Sequence, residues 1–298
     1  AALGFYISGR CPVCSFYSDS IRTTESLHMA QTKAIKQHEV SMLPKVSIIL
    51  PCFNVSHSIS LTIDKLRQQE DVDWELIVVD GHSTDRTVEI VKGYFDERIL
   101  VCYTDSHKRY EMLNKGLLLA KGEYVNFIFP GDYYILFSTL SFMMQLAVKD
   151  NLPDLLYGGC LLRQLNGDVK VLNRPLSLKE LREGKQPTTL QSCFFKRELM
   201  EKMGGFQTCY EVRGGYDLFC RLLLKGPFRF LKTKKVLTDY DLRGVTKRMI
   251  IEHFLETSHI IHLYFGWRNW LKWFWLQKDV KRWFLNWGQS IKNAFLGR

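Results

Sequence analysis

The chain has no uninterrupted apolar run of the roughly 18 residues that a membrane-crossing helix needs, so no span is predicted. No basic-then-apolar leader is visible at its start, and it contains no internal repeat and no low-complexity tract. Closely spaced cysteines are almost missing. Of eight, only Cys11 and Cys14 stand near each other. Cys52, Cys102, Cys160, Cys193, Cys209 and Cys220 are scattered, often beside apolar residues. That pattern is one of buried free thiols in a reducing compartment. The Cys11-Pro-Val-Cys14 knuckle is of a kind that binds zinc, but a structural site needs two more ligands. His28 and His38 do not supply the usual close pair, so the knuckle is either a partial zinc site or a turn with two thiols. Evenly spread positive charge is missing too. The formal net charge is +10, yet from Gly266 to Arg298 seven Lys and Arg face one acid. The excess is concentrated in the tail, and no RNA-binding aromatic signature appears. A nucleic-acid partner is therefore not expected.

What is present is a large apolar fraction, 46% of 298 residues, enough to bury a sizeable core in one large α/β domain or two smaller ones. Residues 1–43 are polar and lack periodicity, and read as an N-terminal extension. At Lys45 the character changes. "KVSIIL", "WELIVVD", "RILVCY" and "EYVNFIF" are apolar, β-rich runs of the kind found in buried parallel strands. Between them, residues 57–69, 83–95 and 110–122 carry apolar side chains at helical spacing. Alternating strand and helix predicts a parallel sheet with ligands outside the C-terminal ends of its strands. Those ends fall at Pro51–Asn54, Asp80–Ser83, Thr104–Arg109 and Pro130–Asp132. Beyond them a hairpin is expected, turning at Asn166-Gly167-Asp168. A short capped helix, a strand-to-helix unit over "TLQSCFFKRELMEKMGGF", an apolar helix over "YDLFCRLLLKG" and a returning strand follow.

Four segments occur in order: "IILPCFNVSHSI", "ELIVVDGHSTDRTVEIV", "YEMLNKGLLLAKGEYVNFIFPGDYY" and "QSCFFKRELMEKMGGF". Together they resemble the family-2-type glycosyltransferases of GT-A fold, closest to bacterial enzymes that build surface polysaccharides. The resemblance covers roughly Lys45 to Asp241. It implies an α/β, Rossmann-like GT-A domain with a mostly parallel central sheet over residues 44–245. Residues 44–135 would form its donor-binding half and 136–245 its acceptor half. It further implies a nucleotide-diphospho-sugar donor, here a UDP-sugar, and a saccharide or lipid-linked acceptor, with inversion at the anomeric carbon.

By the resemblance, Pro51, Cys52, Phe53 and Asn54 line the nucleoside pocket, with Phe53 against the base. Asp80 either accepts hydrogen bonds from the base or only fixes the turn with Gly81. Ser83 and Asp85 either cap the next helix or contact the ligand directly. Arg109, beside Lys108 and Tyr110, either neutralises the diphosphate or is a solvated charge. Asn114 lies in the Asn-Lys-Gly helix that relatives place at the donor. Gly131 and Asp132 occupy the Asp-x-Asp element, of which only the last aspartate survives. Asp132 is either the ligand of a divalent cation, Mn2+ or Mg2+, or a turn residue. Gln191 stands where relatives carry His-Gln, with Leu190 in place of the His, and is a candidate contact to acceptor or diphosphate.

The largest departure is at the general base. Relatives place a carboxylate just before a Tyr-Asp helix start, and here Gly214 and Gly215 occupy that place. Asp217 and Glu211 are the carboxylates left to serve; otherwise the base is lost or replaced. The two glycines also suggest a flexible loop over the acceptor site.

Residues 246–298 lie outside the resemblance. Ile260, Tyr264, Trp267, Leu271 and Phe274, then Val280, Trp283, Phe284, Trp287, Ile291 and Phe295, fall at helical spacing. Six of the seven tryptophans lie between Trp267 and Trp287. Two basic amphipathic helices are expected. Either residues 258–298 lie on an anionic membrane surface, or both helices dock on the catalytic domain. The expectation is thus a glycosyltransferase at the cytoplasmic face of a membrane. The alternative is a catalytically impaired GT-A protein that binds a nucleotide sugar or a partner enzyme.

Overall fold

The structure, a computed structural model, describes residues 43–164 and 167–277. The Cys11–Cys14 knuckle with His28 and His38, the Asn166 corner of the hairpin, and the expected helix near residues 280–295 lie outside the described residues.

Four strands, β1 (Val46–Cys52), β2 (Trp74–Asp80), β3 (Ile99–Tyr103) and β4 (Tyr124–Phe127), pair in parallel in the spatial order β3-β2-β1-β4. Every residue of β1 and β4 is buried, which is why their sequences run apolar without alternation. The crossovers carry α1 (Ile59–Arg67), α2 (Thr87–Lys92) and α3 (Arg109–Leu119). The register sets Cys52 beside Asp80 and Asp80 beside Tyr103, so the strand ends form one edge.

The second half extends the same sheet with mixed pairings. Its elements are β5 (Tyr133–Tyr134), α4 (Thr139–Lys149), β6 (Leu155–Arg163), β7 (Val169–Leu172), α5 (Leu178–Arg182), β8 (Cys193–Lys196), α6 (Arg197–Lys202), α7 (Gly214–Lys225) and β9 (Phe230–Asp241). β8 runs antiparallel to β4 and hands the sheet on to β6, β9 and β5; β7 pairs with β6 as the expected hairpin. The β4–β8, β8–β6, β6–β7 and β5–β9 pairs are antiparallel, whereas β6 and β9 run parallel. A single core packs Ile49, Ile77, Leu113, Phe127, Phe195 and Phe219 between sheet and helices.

The last described element, α8 (Lys247–Leu276), is two helical arms joined at Gly266. Gly266 has φ 76°, a left-handed conformation that disfavours any residue with a Cβ. The arms fold against each other. Trp270 Nε1 donates to Ser258 Oγ at 2.7 Å, and the Phe254 and Trp273 rings lie 5.2 Å apart. Ile260, Ile261 and Trp273 enter the main core. The described part of the tail is thus docked on the domain, and part of its apolar stripe faces protein. No described helix is long and apolar enough to cross a membrane.

Candidate active site

The site gathers at the C-terminal ends of β1, β2 and β4. β4 stops at a turn where Gly131 adopts φ 94°, a conformation open to glycine and strained for other residues. Thr62 of α1 pins that turn. Its Oγ1 accepts the Gly131 N–H at 2.9 Å and donates to the Asp132 carbonyl at 2.8 Å. Asp132 is thereby fixed with its side chain 4% exposed. Gln191, from the 3-10 turn Leu190–Ser192 before β8, donates its Nε2–H to Asp132 Oδ2 at 2.5 Å. Asn126 in β4 holds both partners' surroundings. Its Nδ2 donates to the Gln191 and Cys193 carbonyls, and its Oδ1 accepts from the Tyr134 hydroxyl.

Burial raises the Asp132 carboxyl to about 7. The Gln191 hydrogen bond and the Arg109 cation oppose that rise, while the Asp239 and Asp241 charges on β9 add to it. Arg109 sits at the start of α3 with its guanidinium 4.8 Å from the Phe129 ring. Asp239 is itself held by Arg163, whose Nε and Nη2 donate to it at 2.6 to 3.0 Å. The structure therefore brings Asp132, Gln191, Arg109 and Gly131 together, and adds Asn126, Arg163, Asp239 and Asp241. Asn126 had a signal, a polar residue inside an apolar strand. The alternating acids of "TDYD" were the signal for β9.

The edge formed by the ends of β1 and β2 is equally ordered. Phe53, 37% exposed, stacks on His107 with ring centroids 4.0 Å apart. His107 Nδ1 is 2.9 Å from the Gly81 carbonyl, which makes it the protonated nitrogen. Asp80 is 1% exposed, and its two oxygens accept from the Ser83 N–H and hydroxyl. Asn54 Oδ1 accepts from the Thr84 and Asp85 N–H groups, tying the first two strand ends together. Asp85 accepts from Thr87 and Ser56, and these bonds, Thr87's first, hold its carboxyl far below the usual range. Pro51 and Cys52 are buried in β1, so that end offers a ligand little beyond its backbone. Asn114 spends its amide on the Phe206 backbone, donating to the carbonyl and accepting from the N–H at 2.8 Å each.

The start of α7 departs from the flexible loop expected at Gly214 and Gly215. Both are buried in the first turn of α7. A Cβ on Gly214 would lie 2.7 Å from the Tyr110 ring, and one on Gly215 would lie 3.1 Å from Leu190. The Tyr110 hydroxyl donates to the Val212 carbonyl and accepts from the Gly215 N–H. Close packing, not mobility, explains these glycines. Gly215 and Leu190, where the resemblance leads one to expect an acid and a His, are neighbours in space, and the leucine side chain lies against the glycine.

The two candidate bases sit apart in character. Asp217 is fully buried; Arg221 Nε donates to its Oδ2 and the Tyr264 hydroxyl to its Oδ1, each at 2.8 Å. Glu211 is exposed and pairs with Arg248 at 3.1 Å. Among the described residues no group of three or more His, Cys, Asp or Glu is gathered for a metal. Asp132 is a single hard carboxylate. That donor set fits a divalent cation of the kind held by one carboxylate together with substrate phosphates.

A parallel nucleotide-type sheet, extended by a mixed second half and with an aspartate just after β4, is the arrangement of the GT-A glycosyltransferases. The profile of "Glycosyl transferase family 2" matches residues 47–204, more than half of the chain, and the protein belongs to that family. It is therefore a glycosyltransferase. It is 26% identical over 220 residues to a "PGL/p-HBAD biosynthesis glycosyltransferase" of Mycobacterium bovis, covering 72% of this chain and 83% of the relative. It is 37% identical over 108 residues to the putative teichuronic acid biosynthesis glycosyltransferase TuaG of Bacillus subtilis, covering 34% and 43% of the two chains. Among solved structures, S. aureus TarS with UDP-GlcNAc superposes with TM-score 0.61 at 20% identity. The match covers 74% of this chain and 66% of that one, just under two thirds of its length. A Pyrobaculum calidifontis mannosyltransferase with GDP-Man and Mn2+ superposes at 0.53 and 19% identity, covering 85% and 81%.

Proposed function

We propose that the protein transfers a sugar from a UDP-sugar to a saccharide or lipid-linked acceptor with inversion, working as a peripheral protein on the cytoplasmic face of a membrane. The observation that carries this reading is the Asp132–Gln191 pair at the end of β4, beside the Arg109 cation. The Phe53 ring receives the base, and Arg109 offsets diphosphate charge. Asp132 would hold a divalent cation, which would supply positive charge against the departing diphosphate. Gln191 orients the Asp132 carboxylate through its hydrogen bond and keeps one oxygen fixed. A UDP donor is favoured by two similar proteins, TarS bound to UDP-GlcNAc and the E. coli WfgD transferase, named for UDP-Glc. Deprotonation of the acceptor falls to Glu211 rather than Asp217. Glu211 has solvent access and one surface ion pair, whereas both Asp217 oxygens are taken.

The second reading, a GT-A protein that binds a nucleotide sugar without turnover, is favoured by Leu190 filling the space beside Gly215. UDP-sugars offered with manganese and an extracted lipid fraction separate the two. Release of UDP that needs the acceptor supports transfer. UDP binding with no release on any acceptor supports the second reading.

A further inference from the structure

The α8 hairpin has two faces with different chemistry. Its inner face is committed to the acceptor side of the domain. The Glu256 carboxylate, nearly buried, accepts the N–H groups of Glu211, Val212 and Arg213 at 2.6, 3.0 and 2.6 Å. Those groups lead into α7, whose own first residues offer no side-chain cap, and a carboxylate there also suits the helix dipole. Tyr264 reaches Asp217 from the same face.

The outer face is different. After the break at Gly266, Trp267, Leu271 and Trp275 recur every fourth residue and stand 59%, 37% and 49% exposed. Leu263, 57% exposed, flanks them from the first arm. Arg268 and Lys272 are exposed within the same stretch, and the Arg268 guanidinium lies 5.5 Å from the Trp267 ring. A soluble surface rarely exposes so much aromatic area in one stripe.

We infer that this outer face docks on an anionic lipid bilayer, with Trp267, Leu271 and Trp275 entering the headgroup region and Arg268 and Lys272 meeting lipid phosphates. Charge decides between occupants. Residues 278–298 carry Lys278, Lys281, Arg282, Lys292 and Arg298 against Asp279 alone, so the sequence that follows the stripe adds to its positive charge and calls for an anionic partner. A second copy brings the same cations to itself. An anionic bilayer complements both the stripe and the segment that follows it. Because the inner face of the same hairpin holds the start of α7, docking sets the acceptor side of the site at the lipid surface. The inference rests on the transferase reading only for that last point; the docking itself is independent of it.

The test uses the full chain and its Trp267→Ser/Leu271→Ser/Trp275→Ser variant. Co-sedimentation is measured with phosphatidylglycerol-containing and with pure phosphatidylcholine vesicles, and UDP binding is measured in parallel by calorimetry. The expected result is that wild type binds the anionic vesicles and the variant's partitioning falls at least roughly tenfold, with UDP affinity unchanged. Wild-type partitioning by the variant overturns the inference. So does a wild-type dimer that the variant converts to a monomer, which would make the face a self-interface. Vesicle binding without any UDP binding would leave the docking intact and sink the transferase reading instead.

Discussion

Gln191 and Asp132, 59 residues apart in the chain, meet through one buried hydrogen bond of 2.5 Å. The pair exists because Asn126 holds the Gln191 backbone while Thr62 holds the turn that carries Asp132.

Removing the charge of Asp132 should abolish cation-dependent turnover. Asp132→Asn keeps the shape and the fold but leaves a neutral oxygen toward the metal. The expected loss in kcat is at least about a hundredfold, with the melting temperature held or raised, because a buried carboxylate is lost. Steady-state kinetics and thermal melts on the same preparation check both halves.

The pH dependence follows from burial. The Asp132 carboxyl titrates near 7 in the fold, against an ordinary value of 3.8. The folded state therefore binds the proton more tightly. Its contribution to stability is present below the ordinary value and declines as pH rises toward about 7. A cation needs the ionised form, so manganese-dependent UDP binding should strengthen as pH rises through about 7 and then level. Gln191→Leu removes the bond that favours ionisation, so the midpoint should move up. Calorimetric titrations across pH would show it, and an unmoved midpoint would contradict the role given to Gln191.

The glycines at the start of α7 should resist substitution. Gly214→Ala drives a methyl into the Tyr110 ring and should cost about 1–3 kcal/mol of stability. Gly215→Ala first meets the Leu190 side chain, at 3.1 Å, and should cost less. Combining it with Leu190→Ala should recover most of the loss. Denaturant midpoints of the four proteins form the cycle; additive losses at positions 190 and 215 would contradict the packing described.

Asp217 and Glu211 should separate by phenotype. Asp217→Ala strands the buried Arg221 cation and should cost about 3–5 kcal/mol. Glu211→Gln, at an exposed position, should leave the melting temperature within a degree or two while lowering kcat with KM for the donor unchanged. A fully active Glu211→Gln enzyme would remove that residue from the chemistry.

Much of the fold is legible in the sequence because buried parallel strands write themselves as apolar runs and helices as spaced ones. Val46–Cys52 and Trp74–Asp80 are visible for that reason. The pairing of Asp132 with Gln191 is not, because it depends on how β8 docks against β4. Gly214 and Gly215 mislead for a physical reason. Glycine serves both mobility and close approach, and only the positions of Tyr110 and Leu190 tell which. The tail misleads in part, since an amphipathic stripe looks the same whether it faces lipid or protein. The structure assigns Ile260, Ile261 and Trp273 to protein and leaves Trp267, Leu271 and Trp275 outside.

The most direct measurement is UDP release from a panel of UDP-sugars with manganese and lipid extract, comparing wild type with Asp132→Ala. The account predicts acceptor-dependent release by wild type from at least one donor and none above background from the variant. Equal release by both proteins would contradict it.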